Sequence, residues 1–419
     1  MAVAAPPASL GDRIDLWLAA EPEGLADPYG LFEEIRAAGR VVLHNGMAFV
    51  TGYDDVKALI RAHPGLSRQA ASRGGRALAF RSALDDAHRR TFDEVSAIQE
   101  LFISRTDRDV HARLRAIAHR AFTPRKIAAL EEALQGFVDE LIAREQGKDE
   151  ADLMNLAYGL PLWAICHLLG ASPADREPIH EWSLSIGANH GAFDANRLTA
   201  AHAAHGMFDA YVQDVIERHR LEPGSAGELV AALLDAEQGD RLTEAELSAM
   251  FVVLLFAGHE TTTNLLGGGL RELLLRRDAW DALVADPSLL PNAIEEVLRY
   301  VTPVQFLFRY AIGEIEIGED AIPAGATVFP LLPAANRDPD VFRDPCVLDI
   351  RRPEAGNHLA LGFGPYFCLG ASLARLEATV AFRTLLDRYP RMRLVDAEAT
   401  HTGSAMLRRL VDLRVVLEP

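Results

Sequence analysis

The run MFVVLLFAGHETTTNLL, Met250 to Leu266, constrains the fold more than any other stretch. Its first half is apolar on every face of a helix, and such a helix belongs inside a core. Further elements must therefore wrap around it. The same helix goes on to place Glu260 beside Thr261, Thr262 and Thr263. Thr261 follows Ala257 by one helical turn, so its hydroxyl can bond the Ala257 carbonyl and bend the helix. Gly258 removes a side chain at that turn and lets something approach the backbone. An acid beside an alcohol at a helix distortion fits a proton relay. It also fits a buried helix that simply emerges at its polar end.

Helical spacing recurs over Asp27–Arg40, Asp54–His63, Thr243–Tyr300 and about Leu369–Tyr389. It also covers Val110 to about Arg220, with breaks at Thr123-Pro124, Gln146–Asp149 and Ser172-Pro173. Strand character is confined to a few places. Val41–Gly52 reads as two short strands around Asn45-Gly46, a hairpin turn pair. Residues 309 to 332 alternate around a turn at Pro323-Ala324-Gly325, and Arg409–Pro419 reads as a last strand. Residues 66–103 show no clear period and read as loop with short helices, a form often tied to function. Asn336–His358 is turn-rich. The expected class is mainly α with a small β region, in one continuous unit without repeats.

Charge narrows the function. A net charge of −18 repels nucleic acid and anionic lipid headgroups. Cys166, Cys346 and Cys368 are too scattered for a disulfide framework, which fits a reducing cytoplasm. No basic, apolar signal segment opens the chain. The apolar run Met250–Gly258 is nine residues, against about 20 for a membrane span. A soluble, cytoplasmic protein is expected, with neither nucleic acid nor membrane as partner.

Two further clusters carry chemistry. In EEVLRY, Glu296 and Arg299 share a helical face and can pair, as many surface residues do. In HLALGFGPYFCLGASLARLE, Cys368 stands where a glycine-rich loop meets a helix. A thiolate there faces the positive end of the helix dipole and unpaired N–H groups. Gly362, Gly364 and Gly370 let backbone come close to a flat ligand. The spacing is wrong for a dinucleotide loop, and zinc would need more nearby ligands. Axial ligation of haem iron fits, and so does a small buried cysteine starting a core helix.

Together these clusters resemble the cytochrome P450 superfamily of haem-thiolate monooxygenases, in the right order from about Asp27 onward. HARLR (His111–Arg115) is similar to the C-helix motif and AGHET (Ala257–Thr261) to the oxygen-activation motif of the I helix. EEVLR holds the Glu-x-x-Arg of the K helix, AANRDPDVFRDP resembles the meander, and LGFGPYFCLG resembles the cysteine loop. The resemblance implies one domain over 1–419, with 1–26 an N-terminal extension and 27–419 catalytic. It implies haem b between the I and L helices, with Cys368 as the axial thiolate. Glu260 and Thr261 would deliver protons. His111, Arg115 and Arg309 would hold the propionates, and Ala257, Tyr366 and Gly370 would also border the haem. Glu296, Arg299 and Arg352 would form a structural network. The implied reaction is insertion of one atom of dioxygen into an organic substrate. Peroxide-driven or coupling chemistry, and a haem sensor without turnover, are the alternatives.

The loop departs from the family at two places. Leu361 stands where phenylalanine is usual, and Tyr366 where histidine or arginine is usual. Tyrosine can donate one hydrogen bond to a propionate but brings no charge. The implied pocket draws on Arg73–Ile103, Leu184–His190, the I helix and the loop near Ala405-Met406. Phe102, Val253, Phe256, Val304, Phe306, Leu307 and Met406 would make it largely apolar, with Gln305 as a polar contact. Between Arg105 and Lys126 stand seven basic residues (Arg105, Arg108, Arg113, Arg115, Arg120, Arg125, Lys126) against Asp107 and Asp109. In this family that face docks an acidic ferredoxin. No fused reductase domain is expected after the last motif, so ferredoxin and ferredoxin reductase would be separate proteins.

Overall fold

Thr243 opens the central helix. Its hydroxyl accepts from the Glu246 N–H at 3.2 Å, and the Glu246 carboxylate accepts from the Thr243 N–H at 2.9 Å. This reciprocal cap satisfies two donors that the helix itself leaves free. The helix then runs over Glu244–Leu275 in the computed structural model, which describes residues 9–68, 74–120, 122–189, 194–222, 228–238 and 242–419. It is the one helix among the described residues long and apolar enough to cross a membrane, so the short-run expectation is corrected on length. Yet 83% of its most apolar window is buried inside the protein, as a core helix requires.

Small residues let the neighbours close in. A Cβ on Gly258 would lie 2.9 Å from Ile165, on the helix Met154–Leu169. One on Gly267 would lie 2.6 Å from the Met154 sulfur, and one on Gly269 2.6 Å from Val297 of the helix Leu290–Val301. At Gly258 it is Ile165 that approaches the backbone, taking the space the missing side chain leaves. Leu373, Ala378, Phe382 and Leu385 of the helix Ala371–Arg388 are buried in the same core.

The β region is a five-stranded sheet in the order Val41–His44, Met47–Val50, Thr327–Pro330, Arg309–Ala311, Leu66–Ser67. The first two strands form the expected hairpin, with Asn45 and Gly46 both at positive φ (47° and 73°). Met47–Val50 runs parallel to Thr327–Pro330, pairing Met47 with Thr327 and Val50 with Pro330. Successive side chains of a strand leave on opposite faces. Ala48, Val50 and Val328 accordingly join one hydrophobic cluster, and Met47, Phe49 and Phe329 another. The second cluster takes in Trp17 of the helix Leu10–Leu18, whose ring meets Phe32 and Phe306 edge-on at 5.2 Å.

Two expectations need correction. Residues 66–103 hold a regular helix, Asp86–Glu100, started by Asp85, whose carboxylate accepts the His88 N–H at 2.8 Å. Only Val95 and Gln99 of that helix are buried, so no apolar stripe announces it. The C-terminal strand is two strands in separate sheets, Arg408–Leu410 and Arg414–Val416.

Candidate active site

The three hydrophobic clusters meet around a cavity of about 350 Å³. Val253 and Phe256 reach it from the helical core, Ile60 and Leu332 from one side of the sheet, and Phe308 from the other.

Cys368 opens onto this cavity. The loop before it folds back on itself: the Cys368 N–H donates to the Leu361 carbonyl at 2.8 Å, and the Phe367 N–H to that of Gly364 at 3.1 Å. Gly362 and Gly364 sit at φ +75° and +71°, where a side chain would strain the backbone. At Gly364 a Cβ would also meet Arg61 at 2.9 Å. Burial raises the Cys368 pKa; the Gly370 N–H and the charges of Arg115 and Arg375 act against it. Behind the loop, Arg375 grips Glu295 in a fork at 2.6 and 2.8 Å, and His358 lies 3.2 Å from the same carboxylate. Burial alone would raise the Glu295 pKa, but these partners outweigh it and hold it at about 2.

Glu296, Arg299 and Arg352 come together as expected. Arg299 meets Glu296 through a fork with both contacts at 2.7 Å, and Arg352 Nε lies 3.1 and 3.2 Å from the two carboxylate oxygens. The remaining Arg299 donors bond the carbonyls of Asn336, Pro345 and Val347 at 2.7 to 2.9 Å. A wholly buried ion pair is tolerable only when its other donors are satisfied in this way. The network pins the irregular segment after Asn336 to the Leu290–Val301 helix, and so fixes the approach to the cysteine loop.

One side of the cavity is crowded with basic side chains. His111, Arg115 and Arg309 line it, as expected, and Arg68 joins them. The Arg68 guanidinium stacks 3.2 Å from the Tyr366 ring centre, and the His111 ring lies 4.1 Å from Tyr366 on centroids. Arg115 bonds the Phe367 carbonyl at 2.6 Å. Arg309 is buried; one of its Nη atoms bonds the Phe308 carbonyl at 2.6 Å, and the other has no partner among the described residues. Burial pushes the Arg68 pKa down to about 10. Burial, then the charges of Arg115 and Arg68, push His111 down to about 4. Burial and Arg68 push Arg309 down as well. Arg68 escaped the sequence reading because it stands in the stretch without periodicity.

Across the cavity stands the central helix. The Thr261 hydroxyl donates to the Ala257 carbonyl at 2.9 Å, and both residues line the cavity with Glu260. Glu260 is buried, with Oε1 3.2 Å from His259 Nε2 and 3.8 Å from an Arg409 nitrogen. Phe102, Val253, Phe256, Val304, Leu307 and Met406 form apolar wall, as expected. Gln305 and Phe306 do not. Gln305 donates to the Thr302 carbonyl at 2.8 Å and lines a separate cavity beside Asn264 and Tyr300. Phe306 is wholly buried against Trp17 and Phe329. This stretch is no regular strand, since only Phe306 is bridged, to Leu331, so a simple in–out alternation fails. Of the segments expected at the pocket, Arg73 and His190 lie outside the described residues.

These residues fit haem b. A buried guanidinium with an unpartnered nitrogen, its pKa lowered by burial and by the charge of Arg68, suits the haem propionates. The glycine loop presents a sulfur ligand, and the walls suit a flat apolar ring.

Relatedness agrees. The family model described as Cytochrome P450 matches residues 284–393, the part that holds the Glu296 network and the cysteine loop. The chain is 41% identical over 292 residues to "Cytochrome P450 107B1" of Saccharopolyspora erythraea, covering 69% of this chain and 70% of that protein. It is 32% identical over 407 residues to the "Biotin biosynthesis cytochrome P450" of Bacillus subtilis, covering 95% and 98%. The solved structure of tirandamycin C-bound P450 monooxygenase TamI superposes with a TM-score of 0.82 at 36% identity, over 95% of this chain and 99% of that one. With thiolate loop, cation cluster and full-length relatives all in agreement, the chain belongs to the cytochrome P450 family of haem b monooxygenases.

Proposed function

We propose that this monooxygenase inserts one oxygen atom into a largely apolar organic molecule, with electrons from a separate ferredoxin and ferredoxin reductase. One observation carries the reading: Cys368 and Thr261 open into the same cavity, whose intervening walls are Val253, Phe256, Val304, Leu307 and Met406. Bound haem supplies the iron at which dioxygen is reductively cleaved. Cys368 would hold it through sulfur, while Arg68, His111, Arg115 and Arg309 would hold its carboxylates, with the Tyr366 ring packed against both Arg68 and His111. The apolar walls exclude water and orient the substrate by shape, since few polar groups reach them. That TamI was solved with tirandamycin C supports an organic substrate of some size.

Thr261 moves the proton. Its hydroxyl is held by the Ala257 carbonyl, so its oxygen lone pairs and position are fixed at the cavity surface. Glu260, the next residue, lines the same cavity and would replace that proton. The test is Thr261→Ala in the haem-loaded enzyme with its redox partners. Product formation should fall about tenfold or more, the lower range of a lost proton-transfer group. Oxygen uptake should continue, with hydrogen peroxide accounting for the shortfall. Product unchanged and fully coupled to oxygen uptake would remove Thr261 from the mechanism, whereas unchanged turnover when hydrogen peroxide replaces dioxygen and the electron donors would favour a peroxide-driven enzyme.

A further inference from the structure

We infer that His180, His259 and Glu260 form a binding site for a divalent transition metal, with Zn²⁺ the best match, that adjoins the haem cavity through Glu260. His259 and Glu260 are neighbours on the central helix, and His180 comes from the helix Arg176–Ala188. Their ligand atoms all lie within 4.8 Å of one another. His259 Nδ1 stands 2.8 Å from the Leu255 carbonyl. A carbonyl only accepts, so Nδ1 carries the proton and Nε2 presents a lone pair. This is how metal-binding histidines are oriented, through a hydrogen bond on the far ring nitrogen. Nε2 lies 3.2 Å from Glu260 Oε1, within ion-pair distance, and both atoms are buried without a well-formed hydrogen bond among the described residues. His180 Nδ1 is likewise buried and unpartnered.

Three electron-pair donors thus converge. Around a tetrahedral zinc with bonds of about 2.0–2.1 Å, adjacent ligands stand roughly 3.3 Å apart, close to the spacing of Nε2 and Oε1. Two imidazoles and one carboxylate are a common zinc donor set that leaves a fourth position for water. The Tyr158 hydroxyl, also unpartnered, belongs to a ring 3.9 Å from that of His180. Arg409 opposes the ion, since its guanidinium lies 3.8 Å from Glu260 Oε1. His180 is the least buried of the three, and Glu260 lines the cavity of Cys368. Occupancy would hold the Glu260 carboxylate and slow turnover reversibly. That consequence rests on the proton-relay reading of Glu260; the site itself does not.

Haem-loaded enzyme should be dialysed against graded Zn²⁺, with zinc and iron counted separately, and then examined by zinc-edge X-ray absorption. Saturable binding of one zinc per iron is expected, with nitrogen and oxygen neighbours and no sulfur. His180→Phe should weaken binding by about tenfold or more, the usual cost of disturbing a metal's ligand shell. Arg409→Gln should tighten it, because a like charge is removed. No saturable binding would overturn the inference and leave a shared proton or a water among these groups. Sulfur ligation, or an affinity that neither variant changes, would place the zinc elsewhere and overturn it too. If His180→Phe does not fold, Arg409→Gln and the absorption spectrum of the unaltered enzyme still decide.

Discussion

Glu377 and Glu295 are two carboxyl groups near the cysteine loop that the fold pushes in opposite directions. Glu377 is wholly buried on the helix after Cys368, and neither oxygen finds a donor among the described residues. Burial therefore raises its pKa well above the ordinary value. Glu295 is held at about 2 by Arg375 and His358 against its own burial. The partner decides the sign, and a sequence displays no partner from another element. For Glu377 the folded state keeps its proton to higher pH than the unfolded chain, whose glutamates titrate near about 4.3. Stability from this group is fully present below that pH and is lost as pH rises through the raised folded pKa. Glu377→Gln, which carries no charge at any pH, should match the parent in acid and grow progressively more stable than it as pH rises. Denaturant unfolding across a pH series measures the difference, and a gap that stays constant with pH would show that Glu377 is not held protonated. Glu295 has the opposite sense: its contribution is present above about 4.3 and lost as pH falls toward its folded value of about 2.

At the level of elements, the central helix is held by what its glycines omit. A Cβ on Gly269 would lie 2.6 Å from Val297 and 3.1 Å from the Phe382 ring, both in packed helices. Gly136, on the helix Glu131–Glu145, is exposed and has nothing within 4 Å of its missing Cβ. Alanine favours a helix over glycine by about 0.5–1 kcal/mol, whereas overpacking a core costs about 1–3 kcal/mol. Gly136→Ala should accordingly raise stability by roughly 0.5–1 kcal/mol, and Gly269→Ala should lower it by about 1 kcal/mol or more. Thermal unfolding of the haem-loaded variants checks both, and Gly269→Ala melting with the parent would mean the helices can move apart freely. The sequence shows the apolar run of this helix but not which neighbour each glycine meets. Legibility elsewhere follows the same line. The Asn45-Gly46 hairpin is readable because its turn is chemistry local to two residues. The Asp86–Glu100 helix is not, because it buries only Val95 and Gln99. Motif order located Cys368, Thr261 and the Glu296–Arg299 pair. Gln305 and Phe306 were misplaced because an irregular stretch, pinned at one bridge, aims each side chain separately. The convergence of His180 on His259 has no spacing to read, since it arises from packing between helices.

Over the whole molecule, 419 residues exceed what a single hydrophobic core usually serves, and the described residues divide their apolar side chains among several clusters, three of which meet at the cavity. The charge of the molecule is divided as well. The chain carries −18 overall, yet the segment from Arg105 to Lys126 is basic. Its seven basic residues do not act alike. Arg105 and Arg115 line the cavity, and Arg113 pairs with Glu246. Arg108, Arg120 and Arg125 stand exposed, with Lys126 half-buried beside them. A basic patch on an acidic molecule both attracts an acidic electron donor and disfavours docking elsewhere, where like charges face each other. Attraction of this kind raises association rates about tenfold or more at low salt and fades once the Debye length falls to about 8 Å at physiological ionic strength. Reduction of the haem by an acidic ferredoxin should therefore slow steadily as sodium chloride is raised from the millimolar range. In Arg120→Glu/Arg125→Glu, the rate at low salt should drop by about tenfold and the salt dependence should flatten, because both changes remove the same long-range attraction. Stopped-flow reduction at several salt concentrations reads the two together. A parent enzyme whose rate is flat with salt, or a double variant with the parent's slope, would mean that the donor docks on some other face.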